Sequence, residues 1–272
     1  MNFKFSVLMS IYIHERPEYF HECMNSIFSQ TLLPNEIVLV EDGPLTEELK
    51  EEINMFKKKS VIPFKNVKLE KNKGLGLALA TGIEMCTYEL IARMDTDDIC
   101  VDNRFEKQIQ AFKENPELDI VGSHIMEFDG DITNIVSKRK VPLKNEEIQK
   151  YQRRRSAFNH MTVMYKKGAV LKAGNYKDAP LMEDDVLWCQ MISSGAIGMN
   201  LDTSLVYART GDAMIKRRGG WEYFKKYCAG RKQILDIGYI SYIDYYVTCI
   251  IQLIVSLIPA EVRVVVFQKI LR

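Results

Sequence analysis

The sequence lacks the features typical of membrane-spanning, disulfide-bonded and nucleic-acid-binding proteins. Its 37 lysines and arginines balance 36 acidic residues, so a net charge of +1 leaves no excess for a polyanionic partner. The six cysteines form no close pairs and no CxxC motif, and the four histidines are scattered, which indicates neither disulfides nor a zinc site. No apolar run reaches the roughly 20 residues of a spanning helix, and the start, MNFKFSVLMS, has too short an apolar run for a signal peptide. These absences favour a protein of the reducing cytoplasm.

What the sequence does contain is a regular alternation of strand-like and helix-like segments over residues 1–100. Buried strands are predicted at 5–12, 36–43, 66–72 and 88–95, with helices starting at residue 17, at 46–56 and at 76–86. Near-continuously apolar strands that alternate with helices predict a parallel sheet with helices on both faces. The regularity fades after residue 115, although strands are expected at 119–130 and 162–167. The predicted fold class is α/β, with a single Rossmann-like, mostly parallel sheet and a C-terminal helical extension.

Polar and glycine residues follow each of the first four predicted strands. In chain order these groups are Ser10 with Tyr12 and Glu15, Glu41-Asp42, NKGLG at 72–76, and DTDD at 95–98. Ligands of parallel sheets bind at the carboxyl ends of the strands, so four groups at one edge predict a binding site. The glycines at 74–76 form neither a P-loop nor a full dinucleotide fingerprint. A plain turn at 41–44 and a plain helix-start loop at 72–76 stay open as alternatives.

The fourth group crowds three acids, Asp95, Asp97 and Asp98, behind an apolar strand. Carboxylates this close repel one another unless a cation lies among them. Residues two apart in an extended chain point to the same side, so Asp95 and Asp97 can face one ligand and Arg93 can order them. A divalent metal carrying a phosphate ligand would use all three acids. The alternative is that they cap a helix.

A second acidic group, Glu183-Asp184-Asp185, lies in MEDDVLW at 182–188. It precedes a predicted helix at 186–193, and acids at a helix N-terminus are favoured by the helix dipole. The group therefore fits a helix start, a site, or both.

Taken together, these motifs resemble the inverting glycosyltransferases of family 2, which have the GT-A fold. The matching pieces are SVLMSIYIHERPEYFHECMNSIFSQT, EIVLVEDG, NKGLGLALATGI, ARMDTDDI and MEDDVLW, spread over residues 5–200. Within the family, ARMDTDD, NRFEKQ and FNHMTVMYKKGAV resemble bacterial enzymes that assemble capsule, exopolysaccharide and O-antigen repeat units. One departure is visible, because the usual aspartate pair after the second strand is Glu41-Asp42, followed by Gly43-Pro44.

The resemblance implies a nucleotide-sugar donor, most simply a UDP-sugar, and a Mn²⁺ or Mg²⁺ cofactor. It places Asp97 on the metal and Asp95 near both the ribose and the metal, while Asp42 would accept a hydrogen bond from the base. The remaining donor-binding residues expected at this site are Ser10, Tyr12, Glu15, Asn72, Gly74, Arg93, His160 and Arg217. For His160 a structural role is equally open. Arg93 is expected to order the carboxylates more than to touch the donor.

On the acceptor side, the resemblance implies that Asp184 is the catalytic base and that Glu183 positions the acceptor or the base. Direct displacement with inversion needs a base beside the acceptor hydroxyl, opposite the leaving group. The expected division is a donor half at 1–100, an acceptor half at 101–215, and a lid with a C-terminal helical segment at 216–272. The acceptor would be a lipid-linked saccharide. Two rival functions are a sugar-nucleotidyltransferase and a non-catalytic nucleotide-sugar-binding scaffold.

The C-terminal segment is predicted to hold an apolar helix with one thin polar stripe. Asp244, Thr248, Gln252 and Ser256 recur every four residues, and Pro259 ends or bends the helix. Tyr242, Tyr245 and Tyr246 suit a membrane interface. Seven cations are candidates for contact with anionic lipid, namely Lys225, Lys226, Arg231, Lys232, Arg263, Lys269 and Arg272. Peripheral attachment to the inner face of the plasma membrane is expected, with packing on the catalytic domain or a homodimer interface as the alternative.

Overall fold

The computed structural model describes residues 3–211, 218–259 and 261–263. The strands are β1 (Phe5–Ile11), β2 (Glu36–Glu41), β3 (Phe64–Lys68), β4 (Leu90–Arg93), β5 (Ile99–Cys100), β6 (Ile120–Phe128), β7 (Ile135–Arg139), β8 (Met164–Lys166) and β9 (Gly198–Arg209). The helices are α1 (Pro17–Phe28), α2 (Glu47–Lys59), α3 (Leu75–Met85), α4 (Arg104–Glu114), α5 (Asn145–Gln152), α6 (Lys167–Lys172), α7 (Glu183–Ser193), α8 (Trp221–Asp236) and α9 (Tyr242–Leu257). A short 3₁₀ turn spans His160–Thr162.

All of these strands join one sheet in the order β3-β2-β1-β4-β8-β6-β9-β5, with β7 paired to β6. The first half is parallel, because β1 pairs in parallel with β2 and β4, and β2 with β3. Beyond β4 the sheet is mixed. Strand β8 runs antiparallel to β4 and β6, whereas β6 and β9 are parallel and β5 is antiparallel to β9. The predicted α/β class with a C-terminal helical extension is confirmed.

Helices cover both faces of the sheet because strand side chains alternate between them. Val7 and Met9 of β1 belong to a core with α1, α2 and α4, whereas Leu8 belongs to a second core with α3, α5, α6 and α7. Gly82 lets α3 approach closely, since a Cβ there would lie 2.3 Å from Leu8 Cδ1 and 2.9 Å from Val40 Cγ2. Helix α3 begins at Leu75, directly after the loop that follows β3.

Helix α8 packs on α7 through a third, smaller core, and α9 packs on α8. Val186 and Cys189 of α7 meet Ile234 of α8 and Ile240 there. The approach of α8 depends on Gly230, because a Cβ at this position would lie 2.4 Å from Met182 Cβ. Among the described residues, no helix is long and apolar enough to cross a membrane.

Three sequence predictions need correction. The third strand ends at Lys68 rather than at residue 72, because the residues after it form a loop tied to β2. Arg231 is buried, where its Nε donates to the Thr248 hydroxyl at 3.1 Å, and Arg263 is buried against the backbone carbonyls that end α9. Neither arginine can therefore meet lipid. Lys269 and Arg272 lie outside the described residues.

Candidate active site

The acidic group after β4 forms a compact cluster of carboxylates. Ligand oxygens of Asp95, Asp97 and Asp98 all lie within 4.8 Å of one another. Burial and the charges of Asp95 and Glu15 raise the pKa of Asp97 to about 7. Burial and the charges of Asp97 and Asp95 raise the pKa of Asp98 well above its usual value. The cluster thus holds repelling charges that a cation would relieve.

The residues of this cluster fit a hard divalent cation. All of the candidate donors are carboxylate oxygens, the ligand type that Mg²⁺ takes and that also suits Mn²⁺. Asp98 is buried and accepts the backbone N–H of Arg209 at 2.8 Å, so it is held to β9. Asp95 and Asp97 remain partly exposed. The two acids predicted as metal ligands are therefore the two that face outward.

Arg209, which the sequence prediction missed, braces this cluster from β9. Its guanidinium lies 3.8 Å from the centre of the Tyr19 ring, and its Nε donates to the Asp97 carbonyl oxygen at 3.1 Å. Its Nη2 also pairs with Glu22. The contacts of this β9 residue to α1 and to the loop after β4 thus fix the backbone that presents Asp97. Nothing local in the sequence marks this arginine as part of the site.

Arg93 is a buried cation placed beneath two acidic groups. It pairs with Asp95, and this charge raises its pKa even though burial opposes the charged form. Burial raises the pKa values of Glu183 and Asp184, and the charge of Arg93 offsets part of that rise. Its Nε and Nη1 have no hydrogen-bond partner among the residues that the structure describes. With only 1% of its surface exposed, Arg93 is placed to order carboxylates.

The loop after β1 meets the acidic cluster through one hydroxyl. Thr96 donates its hydroxyl hydrogen bond to Glu15, and the Glu15 N–H closes a turn by donating to the Tyr12 carbonyl at 3.0 Å. Burial raises the pKa of Glu15. Ser10 is half-buried and Tyr12 exposed. The structure therefore brings Ser10, Tyr12 and Glu15 to the same sheet edge as the acids.

Asp42 ties the turn after β2 to the glycine loop before α3. Its carboxylate accepts the backbone N–H groups of Lys73 at 2.7 Å and Gly74 at 3.0 Å. The Asn72 side chain donates back to the Asp42 carbonyl at 3.3 Å. Gly43 has φ +90°, and a Cβ there would lie 2.6 Å from the Asn72 nitrogen. Asp42, Asn72 and Gly74 are therefore one structural unit. Each Asp42 oxygen keeps a second lone pair for a ligand N–H.

The second acidic group lies at the N-terminus of α7. Burial and the neighbouring charges of Asp185 and Glu183 raise the pKa of Asp184 well above its usual value, and burial raises that of Glu183. Asp185 differs from them because it accepts the Gln152 amide at 2.8 Å. Glu183 and Asp184 both combine partial exposure with a raised pKa, and a carboxylate with a raised pKa accepts a proton more strongly once ionised.

A cavity of about 210 Å³ lies between the glycine loop and Glu183 at the start of α7. Its walls are Lys73–Leu77 on one side and Lys177–Leu181 with Glu183 on the other. A Cβ at Gly76 would lie 2.4 Å from the Lys177 carbonyl oxygen, so these walls touch at their base. Leu181 has φ +75°, which is costly for leucine and is typical of functional segments. The sequence prediction did not include the 177–181 wall.

His160 has the surroundings of a structural histidine. Its Nε2 lies 2.7 Å from the Tyr176 hydroxyl, and its ring packs against Trp188, which is fully buried in the core. Burial and the charge of Arg93 lower its pKa well below the usual value, which keeps it neutral. Arg217, the remaining candidate, lies outside the described residues.

Two solved structures share this fold. One is the mannosyltransferase PcManGT from Pyrobaculum calidifontis, in complex with GDP-Man and Mn²⁺. Its superposition covers 98% of this chain and 75% of the PcManGT chain, with a TM-score of 0.63 and 13% sequence identity. The other is S. aureus TarS 1–349, in complex with UDP-GlcNAc. Its superposition covers 85% of this chain and 66% of the TarS chain, with a TM-score of 0.63 and 19% sequence identity. The fold is therefore the GT-A fold of glycosyltransferases.

The chain belongs to glycosyl transferase family 2, whose family profile matches residues 6–178. It is 38% identical over 265 residues to the amylovoran biosynthesis glycosyltransferase AmsE of Erwinia amylovora, covering 97% of this chain and 98% of that protein. It is 35% identical over 269 residues to the UDP-Gal:alpha-D-GlcNAc-diphosphoundecaprenol beta-1,3-galactosyltransferase of Escherichia coli. That alignment covers 99% of this chain and 97% of the relative. An uncharacterized glycosyltransferase of Haemophilus influenzae is 45% identical over 241 residues, and the alignment covers 86% of this chain and 89% of that protein. The predicted family is confirmed, and this protein is a glycosyltransferase.

Proposed function

We propose that this enzyme transfers a sugar, with inversion, from a UDP-sugar to a lipid-linked saccharide during the assembly of a bacterial surface polysaccharide. The observation that carries the proposal is the placement of two acidic groups around Arg93. One group, Asp95 with Asp97, fits a cation, and the other, Glu183 with Asp184, fits a proton acceptor. The Escherichia coli relative, named for a UDP-Gal donor and a diphosphoundecaprenol acceptor, supports the choice of substrates.

The donor half, residues 1–100, binds the nucleotide in this proposal. Asp42 accepts a hydrogen bond from the base with its remaining lone pairs, while Asn72 and Gly74 let the backbone approach the nucleoside. The loop carrying Ser10, Tyr12 and Glu15 closes the other side of the nucleoside. Asp97 and Asp95 would hold Mn²⁺ or Mg²⁺, which supplies positive charge against the charge of the leaving diphosphate. Arg93 pairs with Asp95 and orients its carboxylate for this purpose.

The acceptor half, residues 101–215, supplies the base. The acceptor hydroxyl oxygen bonds to the anomeric carbon as the carbon–oxygen bond to the diphosphate breaks, and Asp184 takes the hydroxyl proton. Glu183 orients the acceptor or the base from the first turn of α7. Attack opposite the leaving group inverts the configuration. The products are the extended saccharide, the nucleoside diphosphate and a protonated Asp184.

The enzyme acts in the cytoplasm at the inner face of the plasma membrane in this proposal, and residues 216–272 include a lid that closes over the donor. Membership of family 2 sets aside the sugar-nucleotidyltransferase alternative. A non-catalytic scaffold is the remaining rival. It predicts nucleotide-sugar binding without turnover, despite the presence of both acidic groups.

The test compares Asp184→Asn and Asp97→Asn with Glu51→Gln, a control at an exposed position on α2. Donor hydrolysis and transfer are assayed with a panel of nucleotide sugars, with and without Mn²⁺, and products are identified by mass spectrometry. Asp184→Asn should bind UDP normally but lose transfer by roughly 10²–10⁴-fold, as expected for a general base. Asp97→Asn should lose the response to Mn²⁺ while remaining folded.

A parallel loss of UDP affinity and turnover in Asp184→Asn would move Asp184 to the donor side. Normal turnover by folded Asp97→Asn would remove it from the metal site. Binding without hydrolysis or transfer by the wild-type enzyme, across the whole panel, would favour the scaffold.

A further inference from the structure

Helix α9 is amphipathic in the opposite sense from a helix on the surface of a water-soluble domain. Its polar residues face the protein, since Asp244, Thr248 and Ser256 are all buried. Cys249 and Val255 are buried, but seven apolar or aromatic residues face outward and are 51% to 70% exposed, namely Tyr242, Ile243, Tyr246, Ile250, Ile251, Ile254 and Leu257. We call this set the outer face of α9. A surface helix normally buries its apolar face and exposes its polar one.

The inward polar stripe is fixed by specific bonds, so the orientation of α9 is well determined. The Asp244 carboxylate accepts hydrogen bonds from Arg153 at 2.8 Å and from Arg154 at 2.7 Å. Thr248 accepts from Arg231 of α8 at 3.1 Å, and Arg231 also donates to the Arg153 carbonyl at 2.6 Å. Rotating α9 to hide its outer face would break this network and bury Tyr246 and its neighbours at the expense of paired charges.

Aromatic side chains flank the outer face at both ends of the helix. Tyr242 and Tyr246 lie in the first turns, and Trp221 lies beside the last turn, because the adjacent Gly220 N–H donates to the Ser256 carbonyl at 3.0 Å. Trp221 is 55% exposed. Tyrosine and tryptophan concentrate where apolar and aqueous phases meet, since each has an apolar body and a polar tip.

The charges around the outer face complement an anionic surface. Asp244 is the one ionisable acid within α9, and two arginines neutralise it. On neighbouring α8, Lys225, Lys226 and Lys232 are exposed, although Lys225 and Lys232 pair with acids of the same helix. Lysines beside an apolar strip are typical of helices that lie on anionic lipid.

We propose that the outer face of α9 docks on the surface of an anionic lipid bilayer, with the helix lying in the plane of the interface. Its 16 residues make a helix of about 24 Å, which is too short to span the hydrocarbon core. A contiguous exposed apolar strip of this kind marks an interaction surface. The inference deepens the membrane setting of the proposed function, and it is testable without sugar transfer.

The test uses the full-length enzyme and vesicles of phosphatidylglycerol with phosphatidylcholine, or of phosphatidylcholine alone. Ile250→Gln with Ile254→Gln removes apolar surface at two exposed positions, so folding is preserved. The matched control, Leu33→Gln with Val61→Gln, makes the same change at two exposed apolar positions away from α9. Sedimentation with vesicles measures binding, and light scattering measures the oligomeric state in solution.

Wild type and control should partition onto anionic vesicles, and the α9 variant should partition at least ~10-fold less, since each inserted isoleucine contributes strongly to transfer. Donor hydrolysis without vesicles should be equal in all three, which separates a failure of docking from a failure of the proposed chemistry. Equal partitioning of the α9 variant and wild type would overturn the proposal. A wild-type dimer that the α9 variant disperses, with no vesicle binding by either, would also overturn it and assign the outer face to a second copy.

Discussion

Replacing Asp244 with asparagine should loosen the attachment of α9 to the catalytic domain. The carboxylate is 4% exposed and accepts hydrogen bonds from Arg153, Arg154 and the Ser241 hydroxyl. Asparagine keeps one acceptor oxygen, loses the charge and turns an NH₂ group toward cationic donors. The change therefore weakens every one of these bonds with little change in side-chain volume.

The size of the expected loss in stability follows from how exposed Arg153 and Arg154 are. Breaking a fully buried ion pair costs about 3–5 kcal/mol because the remaining charge has no partner. The Arg153 and Arg154 side chains are 49% and 57% exposed, so water solvates them once the carboxylate is neutral. Solvation of this kind reduces the loss, and we expect the free energy of unfolding to fall by about 2 kcal/mol at pH 7.

The pH dependence gives the prediction a second, independent measurement. Burial alone would raise the pKa of Asp244, but hydrogen bonds from Arg154, Arg153 and Ser241 hold it well below its usual range. A depressed folded-state pKa stabilises the protein fully above the unfolded value of about 3.9, and this stability is lost as pH falls toward the folded value. The difference between wild type and Asp244→Asn should be constant from pH 5 to 8 and shrink below about pH 4.

Urea unfolding followed by circular dichroism measures these differences at a series of pH values. The control is Asp236→Asn, which removes one side of the exposed pair with Lys232 on α8 and should cost no more than about 0.5 kcal/mol. Equal losses in the two variants at pH 7 would refute the reasoning. So would a loss in Asp244→Asn that persists undiminished at pH 3.

Three further changes test other parts of the structure. Gly82→Ala forces a Cβ to 2.3 Å from a leucine side chain of β1 and should lower the free energy of unfolding by about 1–3 kcal/mol; an unchanged urea midpoint would contradict the close packing of α3. Gly43→Ala combines φ +90° with a clash at the Asn72 nitrogen, so calorimetry should show weaker UDP binding; full affinity would separate this turn from the donor site. Arg209→Gln removes the brace on the Asp97 backbone and should weaken Mn²⁺ binding by roughly 10–100-fold in a direct titration; unchanged affinity would limit Arg209 to packing.

Local patterns in the sequence predict the parallel half of the sheet well. Strands β1, β2 and β4 are continuous apolar runs that end in polar turns, and such runs mark buried parallel strands. The third strand is weaker, because β3 is only half-buried and its end is set by Asp42 drawing Lys73 and Gly74 into a loop. The insertion of antiparallel β8 between β4 and β6 depends on pairing between distant segments, which no local periodicity encodes.

The acids of the site were predictable because charges crowded behind an apolar strand need an explanation in any fold. The groups that hold these acids in place could not be predicted, because they lie far away in the chain. The backbone N–H that holds Asp98 belongs to Arg209, 111 residues later, and the hydroxyl that holds Glu15 is 81 residues away. For α9, the spacing of Asp244 and Thr248 predicted a polar stripe, but its inward direction depends on Arg153, which follows α5, and on Arg231 of α8.

The contact between Gly230 and Met182 has a mechanical consequence. Only the Met182 side chain lies between the Gly230 backbone of α8 and the segment that starts α7, since a Cβ at Gly230 would lie 2.4 Å from Met182 Cβ, so the two elements have no room to slide closer together. Arg231, the next residue, bonds α8 to α9. A displacement of α9 would therefore be transmitted through α8 to the first turn of α7. That turn carries Glu183 and Asp184, so the three helices would move together with these two acids.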